Sequence, residues 1–160
     1  SGDQRAAHSV VFWSLGGLGL ARWDNLWVAL IGLFVVLGAA LALRRSLDAL
    51  LAGDETAYSL GVSPGRTRLW IFLASAFATA SFVALSGVIG FVGLMVPHLA
   101  RALVGPLHGT LTYACIGIGA VLLLVGDIAA RTILAPQELP LGIVVGAVGA
   151  AFVVVLVSRR

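Results

Sequence analysis

Two uncharged apolar runs constrain this chain more than any other feature. Leu26 to Leu43 holds eighteen residues without a charge, and Leu69 to Ala100 holds thirty-two. As a helix the first run measures about 27 Å, close to the ~30 Å hydrocarbon core of a bilayer. The second is too long for one crossing, and Gly87, Gly90 and Gly93 punctuate its middle. It therefore divides into a span over 69–86 and another starting near Gly90. Gly90 and Gly93 would also let that second helix approach a neighbour closely. With 60% hydrophobic and only 11% charged residues, the rest of the chain follows the same pattern. This is the composition of a membrane protein, not of a soluble domain.

Further spans are predicted over Leu111–Gly126, closed by Asp127, and over Leu141–Val157. VGPLHG at 104–109 and RTILAPQELP at 131–140 read as loops. Gly142 and Gly146 form a small-xxx-small face on the last span. Near the start, AHSVVFWSLGGLGL at 7–20 is too short to cross and reads as a short interfacial or re-entrant helix. Arg22, Trp23, Asp24 and Trp27 then mark the membrane–water boundary. The expected fold is all-α: a polytopic bundle of about five spans, an outer short helix and a polar elbow between the first two spans. The initial serine suggests a fragment or processed segment.

All ten basic residues are arginine. With residues 53–68 placed in the cytoplasm, the inner side holds Arg44, Arg45, Arg66, Arg68, Arg101, Arg159 and Arg160. The outer side holds Arg5, Arg22 and Arg131. Seven against three obeys the positive-inside rule. Adding the acids gives +4 inside and −1 outside, which together return the net charge of +3. Arginines spaced along the edges of apolar runs do not make a nucleic-acid-binding face, and none is expected as a partner.

Gly53 to Arg68, GDETAYSLGVSPGRTR, is the polar island on which chemistry concentrates. Asp54 and Glu55 suit a helix start, and Gly61 suits the left-handed position just past a helix end. Ser63 can cap a following helix whose first turn accepts Pro64. The pattern predicts two short helices meeting at a corner, the second leading through Arg66 and Arg68 into the span at Leu69.

Elsewhere, Pro97 should bend its helix by freeing a backbone carbonyl, and His98 beside it suits a hydrogen bond to a neighbouring helix or a place along a transport path. Asp127 and Arg131 have the i,i+4 spacing of a helical ion pair, and Glu138 reads as a loop-end cap at the rim. His8, His98 and His108 fall in different compartments, so no metal site is expected. No nucleophile–base–acid set is present, which argues against a membrane hydrolase. A proton-coupled carrier would need ionisable groups within the spans, where His98 stands nearly alone. Cys115 lies within an apolar run and reads as a packing residue.

Four ordered stretches carry a resemblance that covers essentially the whole chain. FWSLGGLG at 12–19, GDETAYSLGV at 53–62, GFVGLMVPHLAR at 90–101 and GDIAARTILAPQELPLGIVVGAVGAAF at 126–152 resemble the FecCD-type permeases of ATP-binding-cassette importers. These carry iron-siderophores, haem and vitamin B12, and the chain resembles their C-terminal half over residues 1–160. The resemblance implies transport by alternating access in a bacterial or archaeal cell (inner) membrane, with the C-terminus cytoplasmic. It implies as partners a cytoplasmic ATPase, an extracytoplasmic substrate-binding protein, a second permease subunit forming a homo- or heterodimer, and membrane lipid.

By the same resemblance the island becomes the coupling element, with Asp54, Glu55, Ala57, Leu60, Gly61 and Val62 placed against the ATPase. Thr56 stands where the broader motif has alanine. Arg131 matches a position that meets acidic residues of the binding protein. The half-chain's glycine faces would await helices of the other half, leaving it unstable alone. A Walker A loop needs a lysine, and this chain has none, so ATP would be used by a separate subunit and no cofactor is bound here. The alternative is a non-transporting membrane scaffold or receptor subunit that holds a cytoplasmic partner through the same elbow.

Overall fold

The computed structural model describes residues 2–19 and 21–159; Ser1, Leu20 and Arg160 lie outside it. Among the described residues the fold is all-helical. A 14-residue helix α1 (Gly2–Leu15) is followed by one 3-10 turn (Trp23–Asn25) and α2 (Leu26–Ala42). Then come α3 (Arg44–Leu51), α4 (Asp54–Ser59), α5 (Pro64–Ser86), α6 (Val92–Val104), α7 (His108–Thr132) and α8 (Leu141–Ser158). Among the described residues, four helical segments are long and apolar enough to cross a membrane: Trp23–Ala42, Pro64–Ser86, His108–Thr132 and Leu141–Ser158.

The span expected from Gly90 is shorter than a crossing. Helix α6 has 13 residues and measures about 20 Å. The chain nevertheless passes from one end of the bundle to the other here. Before α6, the carbonyl of Ser86 accepts the N–H of Gly17 beside α1. After it, His108 meets Asp48 of α3, at the far end of α5. Non-helical residues 87–91 supply the missing length. Backbone outside a helix must find partners at membrane depth; here Gly16 and Gly142 pack directly against the Val88 carbonyl, while Gly90 and Phe91 stay exposed.

Three further boundaries differ from the sequence expectation. Asp127 does not end its span; α7 continues one more turn to Thr132, so Asp127 and Arg131 are both helical. The loop before α7 is only 105–107, because His108 already opens the helix. Arg44 and Arg45 close the apolar run but open α3, for the chain bends at Leu43 and continues as helix. Leu47 and Leu50, partly buried, are spaced three apart, a helical signal within RRSLDALL that the reading of the island passed over.

The most extensive helix–helix contact joins α2 to α5. Gly32, Ala78 and Ser81 are buried there, and a Cβ on Gly32 would stand 2.9 Å from the Ser81 Cβ. Gly32→Val is expected to cost about 1–3 kcal/mol through overpacking. The thermal midpoint of the detergent-solubilised full-length protein should fall. Gly38→Val, on the same helix but with nothing within 4 Å, should leave it nearly unchanged. A second cluster, Met95, Leu141 and Val145, joins α6 to α8 with Leu122, Leu123 and Phe152 against it.

The small-residue face of α8 is used differently from expectation. Gly142 meets the Leu15 carbonyl and Gly149 meets the Phe91 ring, whereas Gly146 has nothing within 4 Å. Gly90 and Gly93 likewise face open space among the described residues, so the close approach expected of them is not made within this chain. The break before α6 rests instead on Gly87 (φ 68°) and Phe91 (φ 66°).

Candidate functional site: the elbow and the opposite rim

The elbow comprises α3, α4 and the first turn of α5. Gly53, at φ 100°, turns the chain between α3 and α4. Helix α4 ends in a Schellman motif, as the glycine position predicts. Val62 N–H donates to the Ala57 carbonyl at 2.9 Å and Gly61 N–H to the Tyr58 carbonyl at 3.0 Å, with Gly61 at φ 78°. Pro64 occupies the start of α5 as expected, but Ser63 makes no side-chain cap and the helix it precedes is the full 23-residue α5.

Packing divides the expected coupling residues into two sets. Ala57 is 0% exposed, set inside the elbow where Pro64 and Thr67 are also buried. It fixes α4 in place and presents nothing outward. Glu55, Leu60 and Gly61 are exposed, as are Tyr58 and Leu51, which sequence reasoning did not select. Val62 is half-buried. Asp54, though exposed, is committed: its two oxygens accept from Arg68 Nη1 at 2.9 Å and Nη2 at 2.8 Å. This fork ties the start of α4 to the second turn of α5.

The Arg68 hydrogen bond and charge hold the Asp54 carboxyl below the usual carboxylate range. A depressed acid contributes stability above its unfolded value of about 3.9 that is lost as pH falls through the folded value. Protection of α4 amides from hydrogen exchange should therefore hold at pH 5 and weaken only below about pH 4. Arg68→Gln should weaken that protection at pH 7.

A second tie joins α3 to α7. Asp48 Oδ1 accepts the backbone N–H of His108 at 2.8 Å and lies 2.8 Å from its Nδ1. Partial burial pushes the Asp48 carboxyl up, but the two His108 contacts and the Arg44 charge outweigh it and leave the group lowered. Sixty residues separate the partners, and no local pattern announces the pair.

At the opposite rim, Arg131 Nε donates to Asp127 Oδ2 at 2.9 Å, the helical pair that the spacing predicts. Glu138, expected to cap the loop end, instead lies 3.8 Å from Arg131 Nη1. Arg131 remains 46% exposed, so a partner can still reach it. Pro97 stands inside α6 with the helix continuing past it. His98 makes no side-chain hydrogen bond among the described residues; its ring meets Phe152 edge-on at 5.4 Å. No group of three His, Cys, Asp or Glu side chains is placed to hold a metal among the described residues.

A bundle of apolar helices with a braced polar elbow at one end and an ion cluster at the other is the fold of a polytopic membrane protein. The chain belongs to the FecCD transport family, whose model matches residues 1–159. It is 39% identical, over 99% of its length, to the hemin transport system permease protein of Yersinia pestis. Identity is 37% over 92% of the chain to the iron(3+)-hydroxamate import system permease protein of Bacillus subtilis. It is 36% over 98% to the cobalamin import system permease protein of Halobacterium salinarum. The chain spans about half the length of these relatives, covering 47%, 44% and 42% of them in turn. A solved metal-chelate type ABC transporter in an inward-facing conformation superposes with a TM-score of 0.82 at 34% identity, over 95% of this chain and 49% of that one.

Proposed function

We propose that this chain forms half of the permease of an ATP-driven importer that moves an iron-siderophore, haem or cobalamin-type chelate into the cytoplasm. The observation that carries the reading is the elbow. It offers exposed Glu55 and Tyr58 on a six-residue helix, with exposed Leu60 just past its end, and the helix is fastened to the next span by the Asp54–Arg68 fork. A push on such a surface moves the spans instead of being absorbed in a slack loop. Membership of a family of transport permeases supplies the class of work.

In this reading the elbow and C-terminus face the cytoplasm, in keeping with the arginine asymmetry. A separate ATP-binding-cassette ATPase grips α4, an extracytoplasmic binding protein docks near Arg131, and a second permease subunit completes the path. Alternating access then follows from ATPase closure. Gly90, Gly93 and the Pro97–His98 segment of α6 border the path, their open faces turned toward it.

The complete protein, reconstituted in proteoliposomes with its ATPase and binding protein, should accumulate one of labelled iron-siderophore, haem or cobalamin only when ATP is present. Substrate-loaded binding protein should raise hydrolysis. An assembled complex that hydrolyses ATP but imports none of the three would overturn the reading. It would favour the scaffold or receptor alternative.

A further inference from the structure

The two routes leading out of the elbow are built differently. The route to α5 is covalent, through Gly61 and Pro64, and is reinforced by the Asp54–Arg68 fork. The route to α7 runs through side chains. Asp48 of α3 receives both the backbone N–H and the ring nitrogen of His108, each at 2.8 Å. Beside it the Arg44 side chain lies over Gly109.

His108 is the first residue of α7, and the first four N–H groups of a helix have no partner within it. Leu107, at the cap position, supplies none from its side chain. Asp48 thus caps α7 from another helix, with its negative charge at the positive end of the helix dipole. Helix α7 has 25 residues, about 37 Å of rod, and carries Asp127 and Arg131 in its last turns. One end of the rod is held by the elbow and the other reaches the opposite rim.

We propose that Asp48 is a positioning residue that transmits elbow movement to α7, and through α7 to the rim around Arg131. This rests on the transport reading above. It assigns the communication between the ATPase side and the docking side to a contact of sixty-residue separation, distinct from the surface that the ATPase touches.

The test uses the complete, reconstituted transporter and reads substrate imported per ATP hydrolysed, together with recovery of the assembled complex. Asp48→Ala removes both bonds. Hydrolysis should persist while import per ATP falls on the order of fivefold to tenfold, the usual size of a coupling between sites. His108→Ala keeps the backbone donor and should produce a smaller fall. Asp48→Asn keeps an acceptor oxygen and should restore most of the ratio, a rescue that a merely destabilised elbow would not show.

An Asp48→Ala ratio equal to that of the unmodified transporter would overturn the assignment. So would an equal fall in the alanine and asparagine variants that simply tracks loss of assembled complex. If the unmodified complex itself fails to import, the transport reading fails and takes this role with it. If only the graded order among variants is missing, the brace alone is refuted.

Discussion

Gly87→Ala is expected to destroy the transport-competent fold, whereas Gly90→Ala three residues later should be nearly silent. Gly87 lies at φ 68°, and a Cβ there would run into the Trp13 carbonyl and the Gly16 backbone. Two penalties add. The left-handed conformation costs a residue with a Cβ about 1–2 kcal/mol, and overpacking against backbone that cannot rotate away costs about 1–3 more. The same position precedes the non-helical segment that carries the chain across the bundle, so relief by local shift would break the packing of Gly16 and Gly142 on the Val88 carbonyl. Gly90 carries no such φ and has nothing within 4 Å of its would-be Cβ. Thermal melts of the detergent-solubilised full-length protein should separate the two variants clearly. Equal midpoints would show that the crossing of α1 over residues 87–89 is not closely packed.

Glu55→Ala should abolish most import while leaving the protein folded. The side chain is exposed in the first turn of α4 and makes no ion pair or hydrogen bond among the described residues. Surface changes of this kind alter stability by about 0.5 kcal/mol or less. A loss of import of about tenfold or more, the scale of a 1.4 kcal/mol coupling, would therefore report a lost external contact. Gly61→Val reaches the same end from inside. With Gly61 at φ 78° and nothing within 4 Å among the described residues, the cost within this chain is backbone strain of about 1–2 kcal/mol, enough to loosen the Schellman turn that aims α4. Import and copurification with the ATPase distinguish the two. Glu55→Ala should weaken recovery of the ATPase, and Gly61→Val should lower import more than recovery. Normal uptake with normal assembly in both would sink the elbow as the coupling element.

The elbow was largely legible in GDETAYSLGVSPGRTR because helix ends are local events. A glycine that must take positive φ, a proline that fits a first turn and acids at a helix start act through backbone atoms only a few residues away. Gly61, Pro64, Asp54 and Glu55 accordingly stand where they were expected. The inward role of Ala57 and the commitment of Asp54 to Arg68 were not legible, since they depend on how α4 lies against α5. The Asp48–His108 brace was further from reach, because nothing near either residue names the other. Glu138 illustrates the same limit: its loop position suggested a cap, but the end of α7 offered it an arginine.

By itself the sequence determined the lengths of the apolar runs, the charges at their ends and the punctuation of the elbow. Each follows from a quantity summed over neighbouring residues: hydrocarbon thickness against helix rise, arginine count per side, and backbone angle at single glycines. The tertiary structure alone decided which glycines are crossings, how the 13-residue α6 completes a passage with non-helical backbone, and which polar side chains brace α3 to α7. Burial of apolar surface is non-directional and does not say which helices meet. Close packing and long-range hydrogen bonds exist only once those neighbours are chosen.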